Sequence, residues 1–246
     1  MVIQKNIKKL SETKVRKRQD VTEDLMLLWI EKPDGFTFKP GQYCTIGMDG
    51  IERAYSIVSA PHEDLLELFI ELVPLPEGML TPKLWTLKIG DSLTIRPRAK
   101  GIFTLDLNFS NQLLVATVTG IVPYVSYIRD YIHHKNKGHR FYVFQGSSYK
   151  HEFTYDSELI SLSSQYPELI SYIPTISRPN ERLNDGWHGV TGRVNLILET
   201  YMEKFGLSSD DTIVYACGHP QMIEDIKNKL NPNGFVIKEE RYWKED

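Results

Sequence analysis

The pattern of apolar residues changes once along the chain, near Asn108, and this change constrains the fold more than any other feature. Before it, short β-rich runs alternate with turns that contain Pro or Gly, which is typical of an antiparallel β-barrel. After it, buried apolar strands alternate with longer segments of helical period, as in a parallel α/β sheet. We therefore predict two domains, an antiparallel β-barrel over residues 1–107 and an α/β domain with a parallel sheet over residues 108–246.

The same patterns predict the individual elements. In the barrel we expect a short helix over residues 81–87, with Thr81 as its N-cap, and strands at 25–30, 43–48, 54–59, 66–73 and 92–96. In the second domain we expect strands at 112–117, 140–145, 170–176 and 212–216, and helices at 123–133, 155–166, 194–204 and 220–230. The charged runs 14–18 and 238–241 are interpreted as solvated surface.

Composition excludes several classes of protein. Hydrophobic residues make up 41% of the chain and charged residues 25%, as in a globular protein and unlike a disordered one. No apolar run approaches the ~20 residues of a membrane-spanning helix, and the N-terminus lacks a secretion signal, so we expect a cytoplasmic monomer without a membrane span. The formal charge of −3 gives no basic field for nucleic acid. Cys44 and Cys217 suit neither a disulfide framework nor a metal site.

The segment Arg53-Ala54-Tyr55-Ser56 follows a Gly-containing turn at the start of a predicted strand, which puts Arg53 and Tyr55 on one face. An Arg fork binds a diphosphate through charge-assisted hydrogen bonds, while Tyr stacks on a flat ring and donates its hydroxyl to a sugar chain. These are the groups that a flavin nucleotide needs, and Ser56 would place a hydroxyl near its reactive ring nitrogen. A barrel strand with a surface Arg and a packed Tyr explains the tetrapeptide equally well.

Two further segments place glycine beside a helix start. In residues 76–84 a Gly loop precedes a helix N-terminus, whose unpaired N–H groups suit a diphosphate, although a plain capped helix explains the segment as well. In residues 116–124 a strand turns through Gly120 into a helix, and such strand ends are where open α/β sheets bind nucleotides. A routine strand-to-helix connection remains the alternative there.

A second strand, loop and helix occurs at residues 215–222, with Cys217 at the end of the strand. A thiol at that point suits packing beside a nicotinamide ring, or it is simply a buried Cys. Arg178 and Arg193 are candidates for binding the 2′-phosphate of a nucleotide, because Arg makes bidentate phosphate contacts. Exposed arginines without a role are the alternative for both.

Taken in order, these segments resemble the ferredoxin–NADP reductase superfamily, particularly the bacterial ferredoxin/flavodoxin–NADP reductases. The likeness extends over nearly the whole chain and is carried, besides residues 53–56, by residues 80–84, 88–91, 100–106 and 217–222. The tail Glu240-Arg241-Tyr242-Trp243 also resembles the aromatic ending of that subgroup, although three residues follow it here. The resemblance implies an FAD-binding barrel followed by an NAD(P)-binding α/β domain.

The resemblance also implies roles for individual residues. FAD would be contacted by Arg53, Ala54, Tyr55, Ser56, Val73, Leu80, Thr81 and the C-terminal Trp243. Thr119 and Cys217 would approach the nicotinamide, Arg178 and Arg193 would hold the 2′-phosphate of NADP, and the catalytic residues would be Ser56, Cys217 and Glu240. The implied enzyme transfers hydride between NADP(H) and FAD and exchanges single electrons with ferredoxin or flavodoxin.

Two positions depart from the family pattern. Val118 replaces a glycine of the usual Thr-Gly-Thr turn, and a β-branched residue resists positive φ and bars close backbone approach. Ser148 stands where related sequences carry an additional Arg for the 2′-phosphate, so NADP is favoured and NAD remains open. Two alternatives also stay open, the reductase component of an oxygenase system and a flavin-binding regulatory subunit without nicotinamide reduction. Both often carry an iron–sulfur cluster, which two cysteines cannot ligate.

Overall fold

A computed structural model describes residues 10–241 and contains two six-stranded sheets. The first sheet is antiparallel, in the order β4-β3-β6-β1-β2-β5. A bridge between Ile57 and Leu68 brings the two ends of this order together, so that the sheet forms a nearly closed barrel. Its elements are β1 (Ser11–Asp20), β2 (Leu25–Glu31), β3 (Tyr43–Met48), β4 (Ile51–Ser56), β5 (Leu65–Glu71), helix α1 (Thr81–Leu84) and β6 (Ser92–Ile95).

The second sheet is parallel, in the order β10-β9-β8-β7-β11-β12. Its strands are β7 (Asn111–Thr117), β8 (Arg140–Ser147), β9 (Ile170–Ile176), β10 (Val190–Thr191), β11 (Thr212–Gly218) and β12 (Val236–Arg241). The helices of this domain are α2 (Val122–His133), α3 (Asp156–Gln165), α4 (Val194–Phe205) and α5 (Pro220–Leu230). The predicted fold class, an antiparallel barrel followed by a parallel α/β sheet, is confirmed. The division at Asn108 stays a prediction.

The central strands of the parallel sheet are apolar throughout because both of their faces are covered. Leu114 of β7 packs in one cluster with helix α2, whereas Val115 packs on the opposite face with helix α4. The first cluster also includes Leu27 and Phe69 of the barrel, so one continuous apolar core joins the two sheets. This shared core fixes the position of the barrel relative to the ends of the parallel strands.

Polar contacts reinforce the same interface. Arg129 of α2 makes an ion pair at 2.7 Å with Glu67 of β5, which is almost fully buried. The second carboxylate oxygen of Glu67 accepts a hydrogen bond from the hydroxyl of Tyr155 at 2.8 Å. Arg129 also binds Glu158 at the start of α3 through two hydrogen bonds of 2.7 Å. A single guanidinium therefore links the barrel to two helices of the α/β domain.

The charged runs 14–18 and 238–241 lie in strands β1 and β12, which the sequence patterns did not predict, since Thr13 and Val15 are the only buried positions of β1. Two features of the helix predicted over residues 81–87 are corrected by the structure. The prediction that Thr81 caps its helix is wrong, since Leu80 occupies the N-cap and the hydroxyl of Thr81 binds the backbone of Val73. That helix ends at Leu84 and not at Leu87.

Across residues 10–241, no helix has the length and apolar character needed to span a lipid bilayer. The same described part of the chain holds no group of three or more His, Cys, Asp or Glu side chains arranged to bind a metal ion.

Candidate functional site

Two cavities meet at the interface between the barrel and the parallel sheet. The barrel cavity, of about 470 Å³, is bounded by β4, the end of β5 and the loop before α1. The sheet cavity, of about 390 Å³, lies over the C-terminal ends of β7, β8 and β11. Glu71 and Thr119 line both cavities, so a ligand in one can reach a ligand in the other.

The barrel cavity collects the residues that the sequence predicted for a flavin. Strand β4 lies at the edge of the sheet, and the last four residues of this strand all line the cavity: Arg53, Ala54, Tyr55 and Ser56. Val73, Leu80 and Thr81 form the facing wall. Burial raises the pKa of the Tyr55 hydroxyl, which therefore stays protonated as a hydrogen-bond donor. Sequence reasoning missed three other residues of the wall, since no local motif marks them: Tyr43, Phe69 and Glu71.

The loop before α1 is folded tightly against the cavity. The Thr81 hydroxyl donates to the carbonyl of Val73 at 2.8 Å and accepts from its N–H at 3.0 Å. A Cβ on Gly78 would lie 1.8 Å from the Val73 carbonyl oxygen, so a side chain cannot be placed there without moving the loop. Thr81 thus shapes the cavity wall by fixing the loop, and the glycine of the sequence motif is needed for close packing.

Glu240 brings strand β12 to the barrel cavity. The Ser56 hydroxyl donates to Oε2 of Glu240 at 3.3 Å, although the two residues lie in different domains. Burial raises the pKa of the Glu240 carboxyl to about 7, so this group can hold or release a proton near neutral pH. Ser56 and Glu240, two of the predicted catalytic residues, are therefore in contact. Trp243 lies outside the described residues.

The sheet cavity occupies the point where the strand order reverses. From β7 the chain proceeds through β8 and β9 to β10 on one side, and it then returns to β11 on the other side of β7. Open α/β sheets bind ligands at such a point. Val194 at the start of helix α4 and Gln221 at the start of helix α5 line the cavity. The N-terminal ends of these helices carry partial positive charge. The cavity therefore suits an anionic ligand such as a nucleotide.

Arg178 and Arg193, the two residues predicted to hold a 2′-phosphate, both line the sheet cavity. Arg178 is held at the rim, because it donates to the hydroxyl of Tyr149 at 2.9 Å and lies 3.6 Å from the Glu181 carboxylate. Arg193 is the N-cap residue of α4. Ser148 also lines the cavity. Two guanidinium groups therefore face the same space as two helix N-termini.

The structure separates Thr119 from Cys217. Thr119 lies at the junction of the two cavities, whereas Cys217 is fully buried in the apolar core and lines neither cavity. A Cβ on Gly120 would lie 2.2 Å from the carbonyl oxygen of Cys217, so the turn after β7 packs directly on the end of β11. Cys217 thus supports the turn that carries Thr119. His219 in the next loop is the N-cap of α5, and its Nδ1 accepts from the N–H of Gln221 at 3.1 Å.

The residues fit the two groups that the sequence implied. A flavin nucleotide needs a cationic fork, stacking rings and close backbone approach, which Arg53, Tyr55 and the loop at Gly78 supply. A nicotinamide dinucleotide needs anion-binding helix ends and a phosphate clamp, which the sheet cavity supplies through α4, α5, Arg178 and Arg193.

Comparison with known proteins gives the same picture. The family model of the oxidoreductase NAD-binding domain matches residues 114–228. A flavodoxin/ferredoxin–NADP reductase of Buchnera aphidicola subsp. Baizongia pistaciae is 31% identical over 227 residues, which cover 84% of this chain and 88% of the relative. The Escherichia coli K12 protein of the same name is 30% identical over 227 residues, 87% of each chain. Among solved structures, a ferredoxin NADP+ reductase from Neisseria gonorrhoeae with bound FAD and NADP has a similar fold, with a TM-score of 0.82. The two sequences are 23% identical, and the match covers 95% of this chain and 99% of that chain.

Proposed function

This chain belongs to the flavodoxin/ferredoxin–NADP reductase family, and from that premise we propose that it transfers hydride between NADP(H) and a bound FAD and single electrons to or from a protein carrier. The observation that carries the proposal is the meeting of the two cavities at Glu71 and Thr119. Direct transfer requires the two ligands to touch, and this junction is where they would do so. The test is anaerobic reduction of the FAD-loaded protein by NADPH, which should bleach the flavin absorbance.

The protein's part in the reaction is to bind, orient and protonate. FAD, when bound, supplies the hydride and single-electron chemistry. Arg53 would bind the diphosphate, and Tyr55 would stack on the ring system, since both residues line the barrel cavity. Ser56 donates a hydrogen bond to Glu240 near the end of β4, and the pKa of Glu240, raised to about 7, allows its carboxyl to take up or release a proton at neutral pH. Thr119, which lines both cavities, would contact the incoming nicotinamide ring at their junction.

The preference for NADP(H) over NAD(H) rests in this proposal on Arg178 and Arg193. Replacing both residues by Ala should raise the KM for NADPH by about a hundredfold or more, since each charge-assisted hydrogen bond to a phosphate contributes roughly 1.5–3 kcal/mol and about 1.4 kcal/mol corresponds to tenfold. NADH lacks the 2′-phosphate, so its KM should change by less than about threefold. Steady-state kinetics with both nucleotides measure the difference.

Arg182 provides the control for that double variant. It is exposed, lies in the same loop as Arg178, and is absent from the lining of the sheet cavity. Arg182→Ala should leave both KM values unchanged. An equal rise of the two KM values in the double variant would reject a 2′-phosphate role for Arg178 and Arg193.

The carrier is proposed to be an acidic ferredoxin or flavodoxin that docks beside the barrel cavity. Lys100 pairs through its backbone with Tyr43 of the cavity wall, and the Lys100 and Arg98 side chains are exposed. Arg96 belongs to the same stretch, but the Glu52 carboxylate neutralises it through hydrogen bonds of 2.9 and 2.7 Å. Within this stretch, Arg98 and Lys100 therefore carry the positive charge that is available to a partner.

Reversing these two charges tests the docking surface. In the variant Arg98→Glu/Lys100→Glu, electron transfer to flavodoxin should slow by about tenfold or more at low ionic strength and by less at high salt, because steering by exposed charge is screened. The matched control is Lys135→Glu/Lys137→Glu, which makes the same charge change in the exposed turn before β8, at the opposite end of the sheet. Equal slowing in both variants would show that only net charge matters, and would contradict this docking surface.

A further inference from the structure

The turn after β7 holds a backbone conformation that its sequence disfavours. Val118 has φ +41°, in the left-handed region. Two other non-glycine residues of the described chain share positive φ, Asp49 and Lys135, and neither is β-branched. A branched side chain makes this conformation costly, so it persists only where the surroundings impose it. The expected resistance of Val118 to positive φ is thus overcome by the tertiary structure.

A buried hydrogen-bond chain supplies part of that constraint. Nε2 of Gln145, on the neighbouring strand β8, donates to the Val118 carbonyl at 3.3 Å, and Gln145 is fully buried. The hydroxyl of Tyr172, on β9, donates to Oε1 of Gln145 at 2.8 Å. The Val118 carbonyl can only accept, so the amide nitrogen of Gln145 must point to it, and the Tyr172 hydroxyl then binds the amide oxygen. Two strands therefore cooperate to hold one carbonyl.

The other flank of the turn is held by β11 and the loop after it. The Thr117 hydroxyl accepts a hydrogen bond from the backbone N–H of His219 at 2.9 Å. Gly120 packs against the Cys217 carbonyl with no space for a side chain. The turn therefore cannot move away from the sheet cavity toward β11, and Val118 stays in the cavity wall.

The position of Val118 in the sheet cavity determines which half of a bound nucleotide it would contact. Its neighbour Thr119 lies at the junction with the barrel cavity, whereas Arg178 and Arg193 belong to the part that would bind the 2′-phosphate. If the sheet cavity binds a nicotinamide dinucleotide, as proposed above, the nicotinamide must occupy the junction end. As the neighbour of Thr119, Val118 would then lie beside the nicotinamide half.

We propose that Val118 is a specificity-determining residue: it restricts entry of the nicotinamide half of the nucleotide and leaves binding of the adenosine half unaffected. Gln145 and Tyr172 are the positioning residues that hold Val118 in the cavity wall. This inference rests on the proposed function. Val118 is half-buried, packs in part on the apolar core and lines the sheet cavity with the rest of its surface, so the nicotinamide half would bind less tightly than the cavity otherwise allows.

Binding of two ligands to the FAD-loaded protein, measured by calorimetry, tests this inference without recourse to activity. The ligands are NADP+ and 2′-phospho-AMP, which contains only the adenosine half. In Val118→Ala, NADP+ should bind roughly tenfold more tightly, the scale on which a pocket discriminates one small apolar group. The affinity for 2′-phospho-AMP should stay within about twofold.

Tyr172→Phe tests the hydrogen-bond chain, because it removes the hydroxyl that orients Gln145 and keeps the ring. We expect NADP+ to bind about twofold to fivefold more tightly than to the wild type, with 2′-phospho-AMP unchanged, since the turn is then less firmly held. In the double variant Val118→Ala/Tyr172→Phe, the gain should not exceed that of Val118→Ala alone. A purely structural role of Tyr172 would shift both ligands together.

Two results would overturn the inference, and they are distinguishable. The first is that the ratio of the NADP+ affinity to the 2′-phospho-AMP affinity is the same in the wild type and in Val118→Ala, or that Val118→Ala binds NADP+ more weakly. Val118 would then not restrict the nicotinamide half, although the nucleotide site would stand. If the wild type binds neither ligand, the proposed nucleotide site itself is wrong and the inference fails with it.

Discussion

Replacing Arg129 by Met is expected to lower the free energy of unfolding by about 3–5 kcal/mol, because the carboxylate of Glu67 then remains buried without its cation. The side chain of Glu67 is only 4% exposed, and its ion pair with Arg129 spans 2.7 Å. For a chain of this length such a loss corresponds to a thermal midpoint roughly 6–20 °C lower. Thermal unfolding followed by circular dichroism measures it.

Two control variants separate the buried charge from the ion pair itself. Glu158→Gln removes a more exposed carboxylate that Arg129 binds, which is 32% exposed, and should cost about 1 kcal/mol or less. Arg129→Met/Glu67→Gln removes both buried charges and should recover most of the loss, since a neutral amide keeps its hydrogen bond to Tyr155. A midpoint for Arg129→Met equal to that of the wild type would mean that this link does not stabilise the domain interface.

Replacing Arg53 by Ala is expected to weaken FAD binding by about a hundredfold, because a guanidinium fork makes two charge-assisted hydrogen bonds to a diphosphate. The neighbouring Glu52 does not neutralise Arg53, since its carboxylate is already bound by Arg96. The Arg53 Nη1 donates instead to the Glu52 carbonyl at 2.8 Å, a contact that holds the side chain at the cavity wall. Quenching of flavin fluorescence on titration into the apoprotein gives the dissociation constant.

Arg96 is the matched control for Arg53. Both arginines lie beside Glu52, but only Arg53 lines the barrel cavity. Arg96→Ala should therefore change the FAD dissociation constant by less than about threefold, the scale of an exposed ion pair. If the two variants weaken FAD equally, the effect of Arg53 arises from general charge and not from contact with the diphosphate.

The fold could be predicted from the sequence wherever burial leaves a regular pattern. The change from turn-punctuated strands to strands alternating with helices near Asn108 predicted both sheets, since antiparallel and parallel strands are buried differently. Strands β1 and β12 lacked that signal. In β1 only Thr13 and Val15 are buried, and its other positions carry mainly charged or polar side chains.

The site could be predicted in part, through ordered local motifs. Arg53, Ser56, Val73 and Thr81 do line one cavity, and Arg178 and Arg193 line the other. The contacts that organise these cavities join residues far apart in sequence, and no local pattern reveals them. Ser56 meets Glu240 only because β12 ends beside the barrel. Gln145 reaches Val118 because β8 and β7 are neighbours in the sheet.

The sequence motif around residues 215–222 pointed to a strand end beside the nucleotide, which is where β11 ends. It did not indicate the depth of Cys217, whose side chain lies in the apolar core behind the turn that carries Thr119. A direct role of the thiol at the nicotinamide stays a prediction. Strand ends are predictable from pattern, whereas the side of the backbone that faces a ligand depends on packing.

The most direct measurement of the central claim is an anaerobic titration of the FAD-loaded protein with NADPH, followed through the flavin absorbance near 450 nm. Adjoining cavities for FAD and a nicotinamide dinucleotide predict that the absorbance bleaches in proportion to the NADPH added, with NADH less effective. Persistence of the oxidised flavin spectrum with an excess of either nucleotide would contradict the claim that this chain is a nicotinamide-dependent flavin reductase.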